Sequence, residues 1–160
     1  MFEWHYGLKF QKKEIVMEKI QLNYHLKLQE MCDCYMETDY LAKMQGMVGA
    51  ASKDVEEEAV KYLALAMLYA ITRKAEKLSV KKKADEAVVR IKADRKEDLP
   101  VPSPIVLENV FQIMREILHI ETDKGEMDLS LGLRTGEVNV HVKVKAKEGK
   151  QSLKIEFPKL

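Results

Sequence analysis

Cys32 and Cys34, together with His25, Met31, Met36, Met44 and Met47, bring thiol, imidazole and thioether groups into one short stretch of the chain. This is the donor set that a soft ion such as Cu(I) selects. The spacing argues against a shared ion, because on a helix the two cysteines lie about 200° apart and cannot chelate together without local unwinding. No second Cys pair, C-x-x-C or H-x-x-x-H is present, so the usual zinc patterns are missing too. Methionine-rich helices more often serve as adaptable packing surfaces. Cys32 and Cys34 are therefore expected to be packing or surface residues, with no metal and no cofactor. A one-residue spacing is also poorly suited to disulfide geometry, and reduced thiols fit a cytoplasmic protein.

The histidines are His5, His25, His119 and His141. His119 falls where a helix should end, favourably placed for its dipole. His5 and His141 fall on the polar sides of expected strands. G-x-S-x-G, H-E-x-x-H, a phosphate-binding glycine loop and a dinucleotide fingerprint are all missing from a chain with seven glycines. Active sites assemble from distant positions, so a small enzyme or ligand-binding protein is kept as a third reading. The expectation is a protein without catalytic activity.

Charge supplies the other candidate. The 160 residues carry 27 Lys plus Arg against 26 Asp plus Glu, a balance that excludes polyanion binding by bulk charge but not by a local patch. Residues 134–160 hold seven basic and three acidic groups, and Arg134, His141, Lys143, Lys145, Lys147 and Lys154 align on one polar strand face. Arg134, His141, Lys147 and Lys154 are the candidate anion-binding set, because in the register expected below Asp128 and Glu156 offset Lys143 and Glu126 offsets Lys145. Any nucleic-acid or anion binding through them should be weak, since they offer only about three or four phosphate contacts and the one aromatic of this stretch, Phe157, points to the core side, leaving none for base stacking. Residues 30–58 have the opposite sign, eight acids against two bases, suited to a basic partner or simply to solvent.

These groups must be positioned by a fold in which helix and strand patterns alternate. Phe2, Trp4, Tyr6, Leu8 and Phe10 alternate with polar residues as a strand would. From about residue 12 to 46 neither Gly nor Pro interrupts a Leu-, Met-, Glu- and Lys-rich run, which favours one long helix, although residues 19–29 also alternate like a strand. On that helix one stripe holds Met17, Ile20, Tyr24, Leu28, Met31 and Tyr35. The other holds Ile15, Leu22, Leu26, Met36, Tyr40 and Met44. Two apolar stripes imply a sandwiched helix, so Leu22, Leu26, Met36, Tyr40 and Met44 form the candidate oligomer interface of a homodimer.

A turn at 46–52 leads to a second helix capped by Asp54 and Glu57 and running to about Leu78, which completes a helical hairpin over about 12–78. Lys81-Lys82-Lys83 reads as a solvated break, and residues 87–93 as a strand. A proline-rich connector (99–104) is followed by a helix opened by Ser103 and Pro104, with Ile105, Val110, Ile113, Met114, Ile117 and Leu118 on its core face. Turns at Thr135-Gly136 and Gly149-Lys150 then give a three-stranded meander. In that register Leu131 faces Val140, Asp128 faces Lys143, Glu126 faces Lys145 and Val144 faces Ile155.

The expected fold is one two-layer α+β domain over 1–160: an antiparallel sheet, the meander plus one or two further strands, under helices. The N-terminus has no basic-then-apolar leader, and the longest apolar run, Tyr62 to Ile71, is half the length of a membrane span. A cytoplasmic, non-catalytic, homo-oligomeric interaction or regulatory module is the leading expectation. A nucleic-acid or anion binder using the basic sheet face is the alternative.

Overall fold

The computed structural model describes residues 24–51 and 53–158. The strand expected over Phe2–Phe10, and with it Ile15, Met17, Ile20 and Leu22, lies outside them. Helical residues 24–35 (α1) are followed by α2 (Tyr40–Gln45), α3 (Val55–Thr72), β1 (Lys77–Lys83), β2 (Glu86–Lys92), β3 (Lys96–Leu99), α4 (Pro104–Leu118), β4 (Lys124–Leu133), β5 (Gly136–Lys147) and β6 (Lys150–Glu156). The strands form one six-stranded sheet in the order β3-β2-β1-β6-β5-β4, antiparallel at every pairing. Two meanders are thus joined edge to edge by β1 and β6, with α4 as the crossover.

Strand alternation turns Leu78, Val80, Val89, Ile91, Leu99, Leu129, Leu131, Val140, Val142, Val144, Leu153 and Ile155 to one face, where all are buried. Helices cover that face. α3 is apolar on nearly every side, with Ala59, Tyr62, Leu63, Leu65, Met67 and Ala70 all buried, the pattern of a helix enclosed by its own domain. Its alanines admit close neighbours, and the buried Tyr62 hydroxyl donates to the Pro100 carbonyl at 2.5 Å. That bond satisfies its one polar atom and ties the connector to the helix layer.

Several expected boundaries move. Helix 12–46 is broken after residue 35: Glu37 takes φ +65°, the Thr38 hydroxyl donates to the Tyr35 carbonyl, and Asp39 caps α2 by accepting from the Ala42 N–H. α3 ends at Thr72 rather than near Leu78, because Lys74 turns left-handed (φ +54°) and releases the chain into β1. Lys81–Lys83 therefore end a strand instead of forming a break. Ile105 is exposed, and Val106 and Leu107 take the core positions. Both hairpins slide by two residues. Glu148 and Gly149 have φ +47° and +77°, the pair a type I′ turn requires, so Val144 faces Leu153 and Val142 faces Ile155. Likewise Leu131 faces Val138, Asp128 faces His141, Glu126 faces Lys143, and Lys145 faces Lys124. A slip of two preserves the face of every side chain and changes every partner.

α1 runs along the outer edge of β4. His25 Nε2 donates to the Ser130 carbonyl at 2.9 Å, the Gly132 N–H donates to Gln29 Oε1 at 2.7 Å, and the Arg134 N–H donates to Asp33 Oδ1 at 2.9 Å. The Arg134 guanidinium also donates to the Asp33 carbonyl at 2.6 Å. Four helical residues rise about 6.0 Å and two strand residues about 6.8 Å, so side chains four apart meet backbone groups two apart. The helix thereby occupies part of an edge that would otherwise be open to another strand. Replacing Gln29 and Asp33 together by Ala is expected to cost about 1–2 kcal/mol in urea unfolding, at about 1 kcal/mol for each such hydrogen bond, and to introduce association that grows with concentration in sedimentation velocity. Unchanged stability together with unchanged sedimentation would show that these bonds do not protect the edge.

Candidate functional site

The uncovered face of the sheet is set by the same alternation. It presents Lys77, Ser79, Lys81 and Lys83 from β1, Glu86, Val88, Arg90 and Lys92 from β2, and Lys96 and Asp98 from β3. β6 adds Lys150, Ser152, Lys154 and Glu156, and β5 and β4 supply residues 137–147 and 124–132 of matching parity. Twelve Lys and Arg face six Asp and Glu there, in a chain whose net charge is +1. The positive charge has been sorted onto one side of the sheet.

Within that face the charges are unevenly compensated. Arg90 pairs with Asp98 at 2.6 Å, Lys92 with Glu76 at 3.8 Å and Lys143 with Glu156 at 3.1 Å. By contrast Lys83 lies opposite Lys150, and Lys150 opposite Lys147. None of Lys81, Lys83, Lys145, Lys147 and Lys150 joins an ion pair among the described residues. Directly opposed like charges destabilise a sheet, and among the described residues no ion pair offsets that cost at this end. The same crowding appears at Lys77, whose ammonium is held below its ordinary range by Lys154 first, then by partial desolvation and by Lys92, Lys96 and Lys81.

The opposite corner is acidic. His141 is hydrogen-bonded through Nδ1 to Asp128 at 2.7 Å and through Nε2 to Glu126 at 3.1 Å, and Glu156 lies across from it on β6. With both ring nitrogens against carboxylates the imidazolium is favoured, and the Asp128 and Glu126 bonds raise its pKa above the ordinary value. Beside it the Ser130 hydroxyl donates to Glu137.

Of the residues picked from sequence for anion binding, Lys147 and Lys154 lie in the basic region. His141 is engaged by carboxylates, and Arg134 serves the contact between α1 and the β4–β5 turn. Sequence reasoning missed Lys77, Lys81, Lys83 and Lys96, because they belong to strands it did not place. It also treated Lys145 as offset by Glu126, whose actual partner is Lys143. The oligomer set is dispersed: Met44 is fully buried, Met36 and Tyr40 pack partly against the core, Leu26 is 52% exposed, and Leu22 is outside the described residues. The cysteines point apart, Cys32 into the core and Cys34 into solvent.

No protein-family model matches this chain, and no curated protein is significantly similar to it in sequence.

Two measurements follow from these environments. Burial, aided by Asp33, pushes the Cys32 thiol up to about 12, and since the thiolate is the reactive form, iodoacetamide at pH 8 should label Cys34 alone in the folded protein and both cysteines in urea. Prompt labelling of Cys32 without denaturant would contradict its burial. For His141, a folded-state pKa above the unfolded value of about 6.5 means that its stabilisation is fully present below that pH and is lost as pH rises through the raised value. NMR titration should find His141 above 6.5 and return it toward that value in D128N/E126Q. An unshifted His141 in the parent protein would show that the carboxylates do not hold it.

Proposed function

We propose that the protein is a non-catalytic binding module whose open sheet face holds the phosphate backbone of double-helical nucleic acid. The observation that carries this reading is the group of lysines, drawn from both meanders, that face one another without internal counterions. Backbone phosphates would supply those counterions, and their own condensed cations would be released in exchange. None of the open-face strand residues is Phe, Tyr or Trp, and the His141 ring is engaged by carboxylates, which disfavours a single-strand binder built on base stacking. Lysine ammonium groups are point charges without the bidentate fork of arginine, so contacts would position the duplex without reading its sequence. The homo-oligomer reading is weaker, since among its described residues only Leu26 offers a largely exposed apolar side chain.

With lysines contributed by both meanders, about six phosphate contacts are within reach, and log K should fall by about 5 per tenfold rise in salt, at 0.9 per contact. Fluorescence anisotropy on a labelled duplex should give micromolar Kd near physiological salt, with little dependence on sequence. K147E/K154E should weaken binding at least tenfold while leaving circular dichroism unchanged, because both side chains lie on the uncovered face. Failure to bind at 50 mM salt, or a salt slope corresponding to one contact or none, would refute the proposal.

A further inference from the structure

The paired strands place Ser152 at the centre of a lysine lattice. Lys81 and Lys145 lie directly across from it on either side, Lys150 and Lys154 are its same-face neighbours along β6, and Lys83, Lys147 and Lys143 occupy three of the four diagonals, with Ser79 on the fourth. Neighbouring strands are about 4.8 Å apart and same-face residues about 6.8 Å apart along a strand, so six of these ammonium groups can reach the space above one hydroxyl, while Lys143 is held by Glu156 at 3.1 Å. The Ser152 side chain is half-buried, and its hydroxyl, which makes no hydrogen bond among the described residues, is open to solvent. A depression of about 490 Å³ opens at this end of the sheet, lined by Lys81, Lys83, Lys145, Lys147, Lys150 and Ser152, with Lys82, Gln151 and Glu148 completing its wall. Glu148 is the one carboxylate among them. Lys82 is drawn away to Glu108 at 2.6 Å, and Gln151 donates to the same carboxylate at 3.0 Å; this fixes the rim against α4.

A single phosphate carries about −1.5 to −2 charge at neutral pH, enough for two of these lysines and not for the group. A duplex backbone spreads its charge along the helix axis and would pair with only some of these lysines at once. We propose that the Ser152-centred lysine depression is a binding site for a condensed triphosphate, either free or as the 5′ end of a nucleic acid, with the Ser152 hydroxyl donating to a phosphate oxygen at its floor. This rests on the reading of the open face as a phosphate-binding surface and adds a preferred ligand at one place on it. No bond is made or broken.

Inorganic tripolyphosphate and orthophosphate, titrated calorimetrically without divalent cations, test the site. Two RNA duplexes of one sequence, one with a 5′-triphosphate and one with a 5′-hydroxyl, separate free ligand from chain end. Tripolyphosphate should bind at least tenfold more tightly than orthophosphate. K81Q/K145Q should remove most of that preference, and S152A part of it, while K92Q/K96Q, on the same face but outside the depression, should leave it unchanged. A tighter grip on the triphosphate duplex than on its hydroxyl counterpart would assign the site to a nucleic-acid end; equal binding of the two would assign it to a free ligand. Equal affinity for tripolyphosphate and orthophosphate, or an equal loss from K92Q/K96Q, would overturn the site. If the hydroxyl duplex still bound in that case, the general face would stand without it. Binding of tripolyphosphate with no binding of either duplex would instead retain the site and reject the face.

Discussion

Seven residues of β1, Lys77 to Lys83, pair one for one with Glu156 to Lys150 of β6, and the rest of the structure depends on this ladder. Without it there are two separate three-stranded meanders, each with an open inner edge and each at the minimum size for independent stability. With it, Leu78 and Val80 meet Ile155 and Leu153 at the middle of one continuous apolar face. α3 and α4 then have a common floor. The ladder also fixes the other side of the sheet, because the parity that turns Leu78 and Val80 inward must turn Lys81 and Lys83 outward, beside Ser152 and Lys150.

The two faces follow different rules. On the covered face the strand side chains from Leu78 and Val80 through Val142, Leu153 and Ile155 are buried in one apolar core, and the polar groups that approach it are satisfied locally, as Tyr62 is by Pro100 and Tyr69 by Glu97 at 2.5 Å. On the open face ion pairs are made on β2 and β3, around His141 and between Lys143 and Glu156, and left unmade among Lys81, Lys83, Lys145, Lys147 and Lys150. An arrangement tuned only for stability would interleave acids among those lysines. The fold tolerates the repulsion because these ammonium groups are exposed to water, whose high dielectric keeps a like-charge pair at about 4 Å to about 1 kcal/mol, and the covered face supplies the stability.

How much of this was legible in the sequence depends on what each pattern encodes. Alternation along 127–133, 138–146 and 153–157 revealed three strands and the inward side of each, because burial of one face leaves a period of two. It did not fix the register, since Leu129 and Leu131 meet a valine in either of two alignments; the decision lay in the backbone of Glu148-Gly149 and in Gly136 (φ +130°). β1 was hidden by Lys81-Lys82-Lys83, a run that reads as solvent-exposed, although only Lys82 turns to the covered side and there it meets Glu108. The break after residue 35 was obscured by good helix formers on both sides of Glu37-Thr38-Asp39. The lysine lattice could not be read at all, since it exists only once β1 lies against β6, a pairing between segments about seventy residues apart.

That separation has a consequence for the chain as it is made. β1 can pair with β2 as soon as residue 92 is free, but its other edge must wait until β6 has been synthesised, after α4 and the second hairpin. Through that interval an unsatisfied row of backbone donors and acceptors is exposed beside Leu78 and Val80, the situation in which nascent chains pair with the wrong neighbour. Three consecutive lysines at the end of that strand make such pairing between copies electrostatically costly, in the manner of charged gatekeepers flanking an aggregation-prone segment. The residues that crowd the finished surface with charge would thus protect the half-made sheet first.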